Sequence, residues 1–196
     1  QTFNLLVLSS NLSRLTSMLN ALIVQDVQID FLPRGGYPVP RGDEVVEPIN
    51  KLIKYARANG WLIVFSRDWH PAGMSHCVEN TDGAKFHPNL LVQSNDIIIS
   101  KGEDTSEKHY SAFNGDNISL IDILKKNNVV KVFIAGLATD YCVLHTSLDS
   151  VRNGFATSVI IDACRAVNKN GVTEEEAKKK MLSNGIRLIQ SNILYT

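Results

Sequence analysis

The sequence has few cysteines and no excess of charge of either sign. Its 196 residues include three cysteines, and no two of them have CxxC spacing. This argues against a disulfide framework or a cysteine-based zinc site and favours a reducing compartment, which we take to be the cytoplasm. Basic and acidic residues number 20 each, so the formal net charge is zero. A neutral chain has no general attraction for nucleic acid or anionic membranes, and we expect neither partner.

Long hydrophobic runs and several common motifs are also missing. No apolar segment approaches the roughly 20 residues that a membrane-spanning helix needs. Residues 1–20 lack the basic lead-in and the small-residue cleavage site of a secretory signal, so we treat them as an N-terminal extension of undetermined role. Residues 21–196 are predicted to form one domain. The absence of GxSxG, GxGxxG and P-loop motifs argues against serine hydrolases and nucleotide-binding proteins.

Strand-like and helix-like segments alternate along the chain. Six short apolar segments are predicted as strands, at residues 21–24, 61–66, 96–101, 131–135, 156–162 and 186–189. Helical spacing of apolar residues marks segments 43–60, 118–128, 143–154 and 173–184. The strands are continuously apolar, which predicts an α/β fold with three layers, a mostly parallel sheet and helices on both faces. In such sheets ligands bind at the carboxyl ends of the strands.

The segment from Gly136 to Cys142 joins a predicted strand to a predicted helix. Thr139 is placed to cap that helix, which puts Cys142 in its first turn. Free N–H groups and the helix dipole favour a thiolate there, so we expect a pKa below the free value of about 8.5. On local context alone, a nucleophile and a small buried apolar side chain fit Cys142 equally well.

Two further strands end in residues that could serve a nucleophilic cysteine. Asp26 follows the first strand, and Lys101 ends the third. Asp26 would accept the thiol proton and later pass it to a leaving group, while Lys101 would keep that carboxylate ionised. A turn aspartate and a surface lysine are the plainer alternatives. If the strands are parallel, however, both residues lie at the same sheet edge as Cys142.

A possible metal site follows the second strand. Asp68 and His70 are two residues apart, so on an extended chain their side chains project to the same side. His76 follows on the next loop. Such a set with open positions suits one divalent ion, preferably Zn²⁺, with Fe²⁺ or Mn²⁺ as alternatives. A surface aspartate and histidine at a loop entry is the competing interpretation. The other histidines are interpreted as structural or exposed: His87, His109 and His145.

Five separated motifs together resemble one known family. They are Asp26–Phe31, Asp68–His70, His76–Cys77, Lys101–Gly102 and Gly136–Cys142. From about residue 21 onward, the chain resembles the isochorismatase-like cysteine hydrolases and, within them, the nicotinamidases. The resemblance implies the fold of that family. The implied catalytic triad is Asp26, Lys101 and Cys142, and the implied metal ligands are Asp68, His70 and His76.

The resemblance also implies an activity. It is the metal-dependent hydrolysis of nicotinamide, a small-molecule amide, to nicotinate and ammonia through a cysteine thioester, as in NAD salvage. The metal would bind the pyridine nitrogen and orient the ring. A cis peptide is implied between Leu137 and Ala138, with the N–H groups of Ala138 and Cys142 as the oxyanion hole. Alternatives are a hydrolase of another small amide or of isochorismate, and a catalytically silent binding protein; a homo-oligomer is compatible with any of them.

One loop departs from the family pattern. Family members usually have a longer loop before the third metal ligand, often with an aromatic residue that stacks on the substrate. Here only five residues, 71–75, separate His70 from His76, and none of them is aromatic. Either the pocket is rebuilt around Phe31 and Trp69, which would then bind the substrate, or a segment is missing from the sequence.

Overall fold

The computed structural model describes residues 19–102, 107–169 and 173–195. Within these ranges six strands form one sheet, and every neighbouring pair of strands is parallel. The strands are β1 (Leu19–Gln25), β2 (Leu62–Asp68), β3 (Ile97–Lys101), β4 (Val129–Leu137), β5 (Ala156–Arg165) and β6 (Arg187–Ile189). Their order across the sheet is β3-β2-β1-β4-β5-β6. The predicted α/β class is confirmed.

Helices cover both faces of this sheet. The α-helices in the described ranges are α1 (Val46–Ala58), α2 (Leu120–Lys126), α3 (Leu144–Arg152) and α4 (Glu174–Ser183). Helix α1 contributes Ile49 and Leu52 to the core on one face. Leu124, Leu148 and Met181, one from each of the other helices, belong to the core on the opposite face. The predicted three-layer arrangement is therefore correct.

Strand β1 shows why the strands read as continuous apolar runs. Leu22 and Val24 belong to the core on the α1 side, whereas Ala21 and Ile23 belong to the opposite core. All four side chains are fully or almost fully buried. A strand in the middle of three layers must bury both sets of side chains, so it shows no polar alternation.

Local sequence signals fix some helix ends and miss others. Thr173 and Glu176 form a complete capping box at the start of α4, since each side chain accepts a hydrogen bond from the other residue's N–H. The helix predicted from residue 43 begins as a 3₁₀ turn, Gly42–Val45, and becomes α-helical at Val46. Such tight turns are common at helix starts, and sequence patterns do not distinguish them from α-helix.

The predicted N-terminal extension lies almost entirely outside the described residues. Its residues 1–18 lie outside the described residues, and Leu19 and Asn20 already belong to β1. No helix among the described residues has both the length and the apolar character needed to cross a membrane.

The long connection from β2 to β3 lies wholly within the described residues. It contains no helix and no strand of the sheet. It is fastened by isolated bridges and by the carboxylate of Asp30. That carboxylate accepts hydrogen bonds from Gly36 N at 2.9 Å and from Cys77 N at 2.7 Å. Because Cys77 follows His76, these bonds hold the third predicted metal ligand over the carboxyl edge of the sheet.

The strand order brings four predicted site residues to one edge. Strands β1 and β4 are neighbours at the centre, where the order of the strands reverses. Asp26 follows β1, Asp68 and Lys101 end β2 and β3, and Cys142 lies in the turn after β4. Such a switch point is the usual ligand site of an open parallel α/β sheet.

Candidate active site

The three residues predicted to form the nucleophilic site are in contact. Lys101 Nζ lies 3.0 Å from Asp26 Oδ2 and 3.4 Å from Cys142 Sγ. One oxygen of the Asp26 carboxylate lies within 4.8 Å of Cys142 Sγ. The side chains of Asp26 and Lys101 are 0% exposed. Lys101 is therefore not a surface lysine, whereas Asp26 does lie in a turn after β1, with a φ of +47°, and is buried there.

Asp68 connects this cluster to the predicted metal site. It is paired with Lys101 across β2 and β3, and Lys101 Nζ donates a hydrogen bond to Asp68 Oδ1. The other carboxylate oxygen, Asp68 Oδ2, lies 3.8 Å from His70 Nε2. One oxygen thus faces the ammonium group, and the other faces the histidine.

Burial and ion pairing shift the pKa values of the buried charged pair. Burial raises the pKa of the Asp26 carboxyl; the Lys101 ammonium opposes this, and the net shift is upward. Burial lowers the pKa of Lys101, but Asp26 and Asp68 outweigh it, so the pKa stands well above its ordinary value. A carboxyl with a raised pKa suits a group that must both accept and return a proton.

The thiol of Cys142 does not have the lowered pKa that the sequence predicted. Burial raises the pKa of Cys142 well above its ordinary value; the Lys101 ammonium acts in the opposite direction, and Asp26 and Asp68 add to the increase. The prediction considered the N–H groups of the turn and omitted the cost of a buried thiolate beside two carboxylates. The resting side chain is therefore a thiol that needs a base.

The turn that carries Cys142 is wound more loosely than predicted. Residues Thr139–Val143 form a π-helical turn that leads into α3, so Cys142 does lie in the first turn. The N-cap is Ala138, and no side chain caps the turn. Thr139 Oγ1 is buried and has no hydrogen-bond partner among the described residues. The predicted capping role of Thr139 is wrong, because the turn begins one residue earlier.

Asp68, His70 and His76 fit a divalent cation. One ligand atom from each lies within 4.8 Å of the other two. His70 Nδ1 is 2.7 Å from the carbonyl oxygen of Gly102, which can only accept, so Nδ1 carries the proton. His70 Nε2 then carries a free lone pair. This atom is buried and has no hydrogen-bond partner in the described ranges. Burial lowers the pKa of His76, which favours the neutral imidazole that metals bind.

Gly102 is required by the packing of His70. A Cβ atom at Gly102 would lie 2.6 Å from His70 Cε1 and 2.7 Å from Nδ1. Replacing Gly102 by alanine should therefore displace the imidazole and lower the Zn²⁺ affinity about 10–100-fold. Calorimetric titration with Zn²⁺ measures this directly.

Gly73 provides the matched control for that substitution. Its φ is +99°, close to the +103° of Gly102, but a Cβ atom there would meet nothing within 4 Å. Gly73→Ala should therefore keep the Zn²⁺ affinity. An equal loss in both variants would implicate backbone strain instead of the contact with His70, and an unchanged affinity in Gly102→Ala would contradict the expected role.

Gln28 positions Asp68 and was not singled out from the sequence. Its side chain accepts a hydrogen bond from Asp68 N at 2.7 Å and donates to Asp68 O at 2.7 Å and to Ala84 O at 2.9 Å. These bonds fix the end of β2 against the loop after β1. The only signal in the sequence was the place of Gln28 inside the first motif, where its role could not be read.

A cavity with about 590 Å³ of empty space opens beside Cys142. Its lining includes Asp68, His76, Ala138 and four aromatic residues, Phe31, Tyr37, Tyr110 and Tyr141. The Leu137–Ala138 peptide is cis, as the resemblance implied. The cavity thus joins the thiol, two of the candidate metal ligands and an aromatic wall. Three tyrosines in that wall were missed, because they lie far apart in the sequence and share no pattern: Tyr37 in the loop after β1, Tyr110 at the end of a 3₁₀ turn and Tyr141 in the turn that carries Cys142.

Phe31 lines this cavity, but the second predicted substrate-binding residue does not. The Trp69 ring lies under the guanidinium group of Arg67, 3.6 Å from its Cζ atom, and is absent from the cavity wall. Side chains alternate along an extended chain, so Trp69 points away from Asp68 and His70 on either side of it. The prediction for Trp69 is therefore not supported.

The short loop still brings His76 to the site. The ring centroids of His70 and His76 are 4.9 Å apart, although only residues 71–75 separate them. His76 stacks on Tyr37, with centroids 5.0 Å apart and an interplanar angle of 28°. The aromatic surface that the loop does not supply comes instead from Phe31, Tyr37 and the two tyrosines on the far wall.

The remaining histidines lie outside the candidate metal cluster. His87 Nδ1 accepts a hydrogen bond from Asn89 N at 3.0 Å. His109 Nδ1 is 3.5 Å from Asp116, and the His145 ring packs edge-on to Tyr110. These are structural contacts, in agreement with the sequence interpretation.

A doubly wound parallel sheet with a buried thiol, carboxylate and ammonium group at its switch point defines the class of isochorismatase-like α/β proteins. The Isochorismatase domain family matches residues 20–192. The chain belongs to this family.

Individual proteins with similar sequences or structures show which members of the family this chain resembles. The nicotinamidase of Escherichia coli K12 is 34% identical over 198 residues, which is 86% of this chain and 93% of that protein. The zinc complex of Pyrococcus horikoshii pyrazinamidase has a TM-score of 0.79 and 38% identity, covering 87% of this chain and 98% of its own. PnC1 from L. infantum in complex with nicotinate has a TM-score of 0.76 and 30% identity, and the match covers 90% of this chain and 95% of that chain.

Proposed function

We propose that this protein is a nicotinamidase, which hydrolyses the carboxamide of nicotinamide to nicotinate and ammonia. The observation that carries the proposal is the contact of Cys142, Asp26 and Lys101 at the base of an aromatic-lined cavity. The similarity to a nicotinamidase and to a nicotinate complex supports this substrate.

The cavity suits a flat aromatic amide. Phe31, Tyr37, Tyr110 and Tyr141 offer ring surfaces, and Tyr110 packs edge-on against Tyr141 with centroids 5.4 Å apart. Aromatic walls of this kind bind a planar ring through offset or edge contacts. A ring held there has its substituent within reach of Cys142, which lines the same cavity.

In the first half of the reaction, Cys142 Sγ attacks the carboxamide carbon while its proton passes to Asp26. The resulting oxyanion is proposed to accept hydrogen bonds from the N–H groups of Ala138 and Cys142. The C–N bond then breaks as Asp26 returns the proton to nitrogen, and ammonia leaves. Lys101 stays protonated and offsets the negative charge, which alternates between the carboxylate and the sulfur.

In the second half, water attacks the thioester. Asp26 takes one proton from that water, and the C–S bond breaks to give the carboxylic acid, which releases the second water proton to solvent and becomes the carboxylate. The sulfur leaves as a thiolate and recovers its proton from Asp26. The raised pKa of Asp26 suits a group that accepts and returns a proton, and the raised pKa of Cys142 favours return of the proton to sulfur.

The proposed cation site is formed by Asp68, His70 and His76, with Zn²⁺ as the expected ion. When bound, the ion would supply a Lewis-acid position for a ring nitrogen and so orient the substrate. Asp68 holds its second oxygen toward Lys101, and Tyr37 supports the ring of His76. Because Lys101 contacts both Asp68 and Cys142, it links the proposed cation site to the proposed nucleophile.

The test is to incubate the zinc-loaded protein with nicotinamide and to quantify ammonia and nicotinate. Equal amounts of both products, formed at a rate proportional to enzyme, would support the proposal. A parallel panel of other small amides and isochorismate identifies the preferred substrate. No ammonia from nicotinamide, together with turnover of another panel member, would refute the substrate assignment but keep the hydrolytic mechanism.

A further inference from the structure

Ser66 lies behind the proposed catalytic carboxylate. Its Oγ is 2.7 Å from Asp26 Oδ1, whereas Lys101 Nζ lies 3.0 Å from the other oxygen, Oδ2. Ser66 is on β2 and is 0% exposed. It does not line the substrate cavity, so it can act on the reaction only through Asp26.

The Ser66 hydroxyl has two acceptors for one proton. Its Oγ is also 2.7 Å from Gln25 Oε1. The amide of Gln25 is oriented by its other end, since Nε2 donates to Thr146 Oγ1 at 2.9 Å. A hydroxyl can donate to only one acceptor at a time, and Gln25 and Ser66 are both fully buried. The proton of Ser66 therefore has two alternative positions.

We propose that Ser66 is a positioning residue for Asp26, whose hydroxyl proton turns toward Asp26 when that carboxylate is ionised and toward Gln25 when it is neutral. A carboxylate is the stronger acceptor, so it takes the hydrogen bond from Ser66 while it carries charge. When the thiol proton reaches Asp26, Oδ1 becomes a weaker acceptor than the Gln25 amide. One proton is transferred from Cys142 to Asp26. The Ser66 hydroxyl keeps its proton and only rotates about its C–O bond.

This inference rests on the proposed roles of Asp26 and Cys142, and it makes opposite predictions for two substitutions. In Ser66→Ala, Asp26 loses a donor to its charged form and holds a proton more tightly. It should then take the thiol proton more readily and return it less readily. In Gln25→Met, the Ser66 hydroxyl has no second acceptor and keeps its hydrogen bond to Asp26. The charged form is then favoured, and the thiol proton is taken less readily.

The experiment measures alkylation of Cys142 by iodoacetamide, followed by mass spectrometry, and ammonia release from nicotinamide. We expect Ser66→Ala to alkylate at least about threefold faster than the wild type, and its ammonia release to fall roughly 10–100-fold. Gln25→Met should alkylate more slowly than the wild type. The double variant should match Ser66→Ala, because Gln25 acts only through Ser66.

Ser158→Ala is the matched control, because Ser158 is also a buried serine of the sheet but lies on β5. It should leave both rates unchanged. Alkylation rates that move in the same direction in the two single variants, or a double variant unlike Ser66→Ala, would overturn the inference. If Ser66→Ala does not fold, the direction in Gln25→Met decides alone. A wild type that releases no ammonia from nicotinamide would refute the proposed function but leave the alkylation test valid.

Discussion

Replacing Cys142 by alanine should lower ammonia release from nicotinamide by at least about 10⁴-fold, because the covalent route then has no nucleophile. Asp26 and Lys101 remain, but neither can form the thioester. The metal ligands are unchanged, so the variant should still bind Zn²⁺ and nicotinate. Ammonia assays, together with calorimetric titration of both ligands, measure the two expectations separately.

Cys164→Ala is the matched control for this substitution. Cys164 is a second buried cysteine, 2% exposed, on β5 and outside the cavity wall. It should keep full activity. Retained turnover in Cys142→Ala would rule out the thioester mechanism. Wild-type protein in which Cys142 resists every thiol reagent and no amide is hydrolysed would instead favour a catalytically silent binding protein.

The fold was predictable because its signals are local. Six apolar segments of strand length, four of whose five connections contain apolar residues at helical spacing, leave little choice beyond a parallel sheet with covered faces. The positions of Asp26, Lys101 and Cys142 followed from the rule that carboxyl ends of parallel strands share one edge. Their mutual contact did not follow, since it depends on the register that pairs Asp68 with Lys101.

The errors concern properties that depend on burial and on side-chain direction. The pKa of Cys142 was predicted to fall because a helix start favours an anion, but burial beside Asp26 and Asp68 raises it. Trp69 was placed in the pocket although the alternation that aligns Asp68 with His70 already turns it away. That error could have been avoided from the sequence.

Other features of the site have no sequence signal of their own. Tyr37, Tyr110 and Tyr141 come from three distant parts of the sequence and meet around the cavity only in the folded chain. The two acceptors of Ser66 come from adjacent residues, Gln25 at the end of β1 and Asp26 directly after it, whose side chains would be expected on opposite faces of a regular strand. Such contacts depend on tertiary geometry that a periodic pattern does not contain.

Replacing Lys101 by methionine should reduce both stability and activity. Its ammonium group contacts Asp26, Asp68 and Cys142 and is 0% exposed. Removing it leaves two buried carboxylates without their cation, which typically costs about 3–5 kcal/mol of unfolding free energy. Urea unfolding and ammonia release measure the two losses. Lys131 is at an exposed position of the same sheet. Lys131→Met should change the free energy of unfolding by no more than about 0.5 kcal/mol and should leave ammonia release unchanged.

A second substitution separates the contribution of charge from that of packing. If the instability of Lys101→Met comes from uncompensated charge, neutralising one carboxylate with Asp26→Asn should restore part of the unfolding free energy. Activity should not return, because Asp26 is also the proposed proton carrier. Zn²⁺ should stabilise Lys101→Met through Asp68 without restoring turnover. Destabilisations that simply add in the double variant would show that the cost comes from lost packing, and that Lys101 does not serve as the charge that holds the two carboxylates together.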